Sequence, residues 1–458
     1  MSFSGFSFIF AFLPLVFAAY FLIPSRFRTA RNAVLLGFGI LFYACCGLRA
    51  LPLLLLSVCL SYACGLAAAP GGKHPHAAVC GVTAHLALLA AFKYLSPLAG
   101  ALNVALPAIV LPLGISFYTF RGISYILDVK RGDTPPERNF LSLALYIAFL
   151  PQLLSGPIAR YSSMSADIID RRETLSDAAE GMTRFCFGLA KKLLIADALG
   201  PLADAVFAAP GLTLSLAWIG AIAYTLQIYF DFSGYSDMAI GLARVFGFST
   251  AENFNYPYTA RSVTDFWRRW HISLSSWFRD YLYIPLGGNR CGGARQLLNL
   301  FIVWGLTGLW HGAAANFLLW GLYYALLLAC ERFVRRNAQG KLPSPLQHLY
   351  ALLAVVVGWV FFRADSASAA FDFIGAMFGG APLWDPRTTY FLLEYWHVLL
   401  LGVIASLPLG QWLRARLAAK DAKLLLALGP RVLALALAGI CYVALVGSSY
   451  NAFIYFNF

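Results

Sequence analysis

Apolar residues fill this chain in long stretches parted by short polar loops. That alternation predicts helices that cross or re-enter a membrane, because one crossing takes roughly 20 apolar residues. The first stretch, Met1 to Ile23, has no basic residue ahead of it and no clear small-residue cleavage site, so it reads as a retained first helix. Stretches at about 32–46, 51–69 and 77–92 follow, joined by Cys46-Gly47-Leu48-Arg49 and by the polar loop Pro70 to His76, which predicts tightly connected crossings. His74 and His76 read as solvated loop residues.

The next run, Leu111 to Phe120, carries Pro112 and Gly114 and predicts a kinked or broken helix. A run from Phe140 breaks between Pro151 and Pro157, and Ala166 to Ala179 is charged enough to lie in water or at the interface. Met182 to Leu202 re-enters the membrane and Ala217 to Phe232 crosses it. Crossings at about 349–362, 389–408 and 430–447 follow, with a re-entrant or interfacial piece at Ala369 to Phe378. The expectation is an all-α polytopic membrane protein with about 11 transmembrane or re-entrant helices, residues 1–458 forming a single membrane domain.

The apolar run from Leu297 to Cys330, about 34 residues, is too long for one comfortable crossing. It predicts a hairpin over 297–331 with its turn at His311 to Asn316. Arg295 on one side and Arg332, Arg335 and Arg336 on the other put both ends in the cytoplasm by the positive-inside rule. Limbs of about 15 residues span roughly 22 Å, short of a hydrocarbon core about 30 Å thick. His311 is therefore expected inside the membrane, where an ionisable group is a functional-site hypothesis.

Two other stretches carry chemistry. Tyr229 to Met238 places Asp231 and Asp237 in apolar sequence, and two readings are open: a structural network that holds a nearby Arg, or catalysis. Residues 256–295 form the least membrane-like part, an amphipathic segment predicted on the cytoplasmic face. Trp and Arg alternate there at helical spacing, including Arg268, Arg269 and Trp270 beside His271. It reads as a membrane-surface anchor or as an anion-binding entrance with His271 aimed inward, and composition alone favours the anchor.

Composition fixes the class. Of 458 residues, 60% are hydrophobic and 12% charged, against about 25% charged in an ordinary soluble domain. The net charge of +13 lies in short loops, where topology and anionic lipid account for it, so nucleic acid is not an expected partner. Arg26, Arg28 and Arg31 after the first helix put that loop inside and the N-terminus in the periplasm. The nine cysteines are scattered and read as small core residues, with no disulfide framework and no metal site expected. No Walker loop, G-x-S-x-G, Rossmann glycine pattern or H-E-x-x-H is present.

Several strings resemble the membrane-bound O-acyltransferase (MBOAT) superfamily: Leu111 to Phe120, Phe149 to Gln152 through Gly156-Pro157, Asp231 to Met238, Glu252 to Tyr258, Phe266 to Tyr281, Tyr283 to Arg290 and Gly308 to Gly312. Gly358 to Ala364 and the terminal Tyr450 to Phe458 extend the likeness along nearly the whole chain. Within the superfamily they look most like the bacterial branch of alginate O-acetylation, with its peptidoglycan and cellulose acetylation homologues and the teichoic-acid D-alanylation proteins.

The resemblance implies an all-helical ring around a thinned centre, with His311 as catalytic histidine and His271 as the second active-site position. Arg268, Arg269 and Trp270 would meet the donor, while Asp231, Asp237, Asn253 and Trp310 form a structural or site network. No cofactor is expected to bind tightly; acetyl-CoA or an acyl-carrier thioester serves as co-substrate. The implied setting is the bacterial inner membrane, beside a periplasmic O-acetyltransferase partner and polysaccharide export machinery. A polytopic transporter is the rival from another class, since His, Asp and broken helices also mark transport paths.

Overall fold

The computed structural model describes residues 1–72, 74–104, 110–337, 343–447 and 454. Among the described residues the ordered elements are helices. Five stretches are long and apolar enough to cross a membrane: Arg28–Ala67, Ala77–Ala101, Ser344–Arg363, Pro386–Ala405 and Lys423–Gly447. The first is two helices, Arg28–Gly47 and Leu51–Ala67, hinged at a short turn over Leu48–Ala50. The count of about 11 segments is thus not established, whereas the apolar runs and their breaks coincide with helices and loops. The resemblance at Tyr450 to Phe458 lies outside the described residues apart from Ile454, as do the side chains of Arg335 and Arg336.

The chain folds as two compact units, residues 1–186 with 235–251, and residues 187–234 with 252–458. In the first unit, Pro112 and Gly114 precede a helix and do not kink one: Ile115–Arg131 begins after Gly114, whose φ of 73° is the left-handed region. A Cβ there would also meet the Leu153 carbonyl oxygen at 2.5 Å, so only glycine suits the position. The break expected near Pro151 is observed, since Phe140–Ile147 gives way to a short turn at Leu150–Gln152. Buried Arg121 satisfies the carbonyls this leaves, donating to Tyr146 at 3.1 Å, Ile147 at 3.3 Å and Gln152 at 2.7 Å. Also in this unit, Asp237 takes a 2.7 Å ion pair from Arg184.

In the second unit, Asp231 does not hold the arginine that apolar carboxylates suggest; it holds Lys192 at 2.7 Å. Lys192 also meets Asp197 at 2.6 Å, and the Ile454 amide donates to Asp231 at 2.8 Å. Lys192 sits in a π-helical stretch, Lys191–Ala196, that interrupts the regular helix. Asp231 and Asp237 share the helix Leu214–Val245, but six residues at 3.6 per turn separate them by about 240° around it. Each therefore meets a different cation.

The expected hairpin is present as Gly293–His311 and Ala315–Asn337. Its limbs are longer than the apolar count predicts, because the helices continue through the polar Gln296 and the basic end. Limb length thus no longer sets the depth of His311. What allows the limbs to pack is glycine: a Cβ on Gly308 would lie 2.3 Å from the Phe317 carbonyl oxygen, and one on Gly321 would lie 2.2 Å from that of Trp304. The cysteines depart from the expected core placement, since only Cys441 of the nine is buried.

Candidate active site

His311 is the last residue of its helix, is 4% exposed, and lies where the hairpin turns. Asn316, across the turn, donates from its side-chain amide to the carbonyls of Phe361 at 3.2 Å and Ala364 at 2.8 Å. Those carbonyls belong to the C-terminal end of Ser344–Arg363, so Asn316 satisfies groups that the helix end leaves open. The tie brings Phe362 edge-on to His311, 4.8 Å between centroids. Trp320 stands edge-on at 5.0 Å and Trp310 lies at 4.6 Å, so His311 is enclosed by aromatic rings.

His271 is reached differently. The predicted amphipathic helix is broken into Val263–Arg269 and Ile272–Phe278, and His271 between them has φ 43°. A left-handed non-glycine residue is uncommon and persists where its surroundings hold it. Here the hold is the strip around Asn253: the Asn255 amide donates to the Arg269 carbonyl at 2.9 Å and the Ile272 amide to the Asn253 carbonyl at 3.0 Å. The fully buried Asn253 side chain adds three contacts through Oδ1: His271 Nδ1 at 3.1 Å, the Ser273 amide at 3.2 Å and Ser273 Oγ at 2.8 Å. His271 lies outside the five apolar stretches, and burial pushes its imidazole down to about 3, which keeps it neutral.

The two histidines line one cavity of about 220 Å³ within the second unit. Five of its lining side chains are tryptophans, 267, 270, 304, 320 and 359, and its polar members include Ser275, Arg279, Tyr283 and Thr307. Of the expected donor-binding residues only Trp270 lines it. Arg268 is exposed, and Arg269 is paired with Asp265 at 3.0 Å. Arg279 is the cation in the lining, 64% exposed and held by Asp280 at 2.7 Å. It stands in the same string as Arg268, eight residues past His271, but spacing alone does not distinguish it from its neighbours.

Asn253 belongs to this site through His271, and Trp310 through its contact with His311. Asp231 does not line this cavity; it holds Lys192, while Asp237 lies in the other unit. No spacing in the sequence marks Glu331, yet it accepts from the Val263 and Thr264 amides at 2.5 Å and 3.0 Å, so a carboxylate on the hairpin caps the short helix that precedes His271.

The family model described as "MBOAT, membrane-bound O-acyltransferase family" matches residues 137–367, which hold both histidines. Among curated relatives, the probable alginate O-acetylase AlgI of Azotobacter vinelandii is 45% identical over 392 residues, covering 82% of this chain and 78% of its own. A peptidoglycan O-acetyltransferase of Helicobacter pylori is 34% identical over 417 residues, with 81% and 79% covered. A teichoic acid D-alanyltransferase of Bacillus subtilis is 30% identical over 265 residues, with 54% and 66% covered.

Proposed function

The chain belongs to the membrane-bound O-acyltransferase family and is a multi-pass membrane O-acyltransferase, and from that premise we propose that it moves an acetyl group from a cytoplasmic thioester towards O-acetylation of an exported polysaccharide. The observation that carries this reading is the pair of buried histidines, His311 and His271, lining one aromatic cavity. Alginate is the polysaccharide favoured by the likeness to the A. vinelandii protein; peptidoglycan, cellulose and teichoic-acid acylation are the alternatives.

The donor is acetyl-CoA or an acylated carrier. Its thioester arm passes Trp270, with Arg279 meeting an anionic group and the exposed Arg268 and half-buried Arg269 on the outer approach. His311 is the general base: it takes the proton of an acceptor hydroxyl as the oxygen attacks the thioester carbonyl. The C–S bond breaks, the new ester keeps the acetyl group, and the leaving thiolate takes the proton back from His311. His271 orients the reactants in the same cavity. The direct acceptor is a periplasmic O-acetyltransferase partner or the polysaccharide itself, and the chain lies in the inner membrane with its N-terminus periplasmic.

The test is the purified chain in liposomes with labelled acetyl-CoA or acetyl-carrier. Thioester turnover that is lost in His311→Ala while the protein stays folded supports the proposal. Solute flux without thioester cleavage overturns it in favour of a transporter.

A further inference from the structure

The ring nitrogens of His271 are chemically distinct, and the surroundings identify which carries the proton. Asn253 faces the Ser273 backbone amide at 3.2 Å, and a backbone amide can only donate, so the Asn253 atom there is the carbonyl oxygen Oδ1. The same oxygen lies 3.1 Å from His271 Nδ1. An unprotonated Nδ1 would set two lone pairs against each other in a buried place, whereas a protonated Nδ1 completes a hydrogen bond. Ser273 Oγ, at 2.8 Å, uses its own hydrogen on the same acceptor.

We propose that Asn253 is a positioning residue that fixes His271 as the Nδ1–H tautomer, so that His271 offers the Nε2 lone pair as a hydrogen-bond acceptor that orients the reactants, and is not a donor to the thioester oxygen. This rests on the acyltransfer reading above and narrows it: a neutral His271 held this way has no Nε2 hydrogen with which to stabilise an oxyanion. The arrangement also accounts for the left-handed backbone. His271 precedes the helix Ile272–Phe278, and the Asn253 oxygen accepts from that helix's second amide, so one side chain from a remote strip caps the helix and sets the ring.

Phe232 stands edge-on to His271 at 4.6 Å, and Asn253 and Ser273 lie at Nδ1. In the shared cavity the ionisable side chains are Arg279, Tyr283 and His311, with Arg279 bound to Asp280. Among the described residues that line the cavity there is no carboxylate. Burial therefore dominates the protonation of His271 and keeps the ring neutral.

The experiment is ring-nitrogen NMR of the full chain, labelled at histidine and held in nanodiscs, with the His271 signals assigned by their absence in His271→Gln. The native chain is expected to give a protonated Nδ1 and a bare Nε2; an Nε2–H tautomer overturns the proposal without any variant or activity assay. Asn253→Ala should mix the tautomers and lower kcat for thioester turnover by about 10- to 100-fold with KM within about twofold. Asn253→Asp keeps the acceptor oxygen, so it should restore the Nδ1–H signal. Its negative charge should raise the pKa of His271, so the acid limb of kcat moves to higher pH than in the native chain. A folded Asn253→Ala with native ring signals and native kcat overturns the proposal. A native chain that has the Nδ1–H tautomer but turns over no thioester overturns the acyltransfer reading instead and leaves the hold of Asn253 on the ring standing.

Discussion

His311 and His271 line the same cavity, yet the chain delivers them by different means. His311 ends a regular helix in a glycine-packed hairpin whose limbs are neighbours in sequence, Gly293–His311 and Ala315–Asn337. His271 sits at a left-handed break between two short helices, and its ring is fixed by Asn253, 18 residues earlier. A hairpin placed by local periodicity can present a histidine with little outside help. A break in the backbone cannot, because nothing in its own helices fixes φ or the ring, so side chains from elsewhere must do it. One histidine is thus positioned by helix packing and the other by hydrogen bonds.

Substitutions on the two sides separate these modes, and the largest effect is expected at His311. His311→Ala should cut thioester turnover by about 10²–10⁴ while the folded yield and thermal transition stay native, as loss of a general base predicts. A transition lowered in step with activity would mean that the hairpin, not the chemistry, had failed.

Gly308→Val attacks the packing itself. Its side chain must displace the Phe317 carbonyl, which a Cβ would approach to 2.3 Å, so a destabilisation of roughly 1–3 kcal/mol or more is expected in a thermal melt of the purified chain. An unchanged melt would show that the limbs can separate without cost.

Smaller effects belong to the His271 side. Arg279→Ala should raise KM for the thioester donor about tenfold, the loss of one charge-assisted hydrogen bond. Arg268→Ala should move KM by no more than about twofold, since Arg268 does not line the cavity. The reverse order would return the donor to the outer face of Val263–Arg269. The smallest effect is one of pH: burial lowers the His271 pKa to about 3, so protonation of His271 should give no acid limb near neutrality in a kcat–pH profile of the native chain. A limb near neutrality that His271→Gln abolishes would show that the ring is solvated.

Much of this is legible from the residues. The apolar runs locate the helices at 28–47, 51–67 and 77–101, the break before Pro157 and the hairpin, because hydrophobic length and proline act over a few neighbouring positions. The histidines stand out because ionisable groups in such surroundings are rare. The charged cavity lining does not: periodicity in an unbroken helix draws attention to Arg268 and Arg269, whereas the helix breaks at His271 and the arginine that lines the cavity is Arg279. Asp231 reads as a carboxylate in need of a cation, but the cation is Lys192, brought to it by a π-helical stretch that no composition signals.

Hydrophobic pattern and residue types at short spacing are thus enough for a helical membrane chain and its family, and they single out the two histidines as candidates. Only the tertiary structure decided that His311 and His271 share one cavity, that Arg279 lines it, and that Asn253 holds the His271 ring. Those relations depend on where distant segments meet and on which hydrogen-bonding atoms face each other there, and no spacing along one chain encodes that directly.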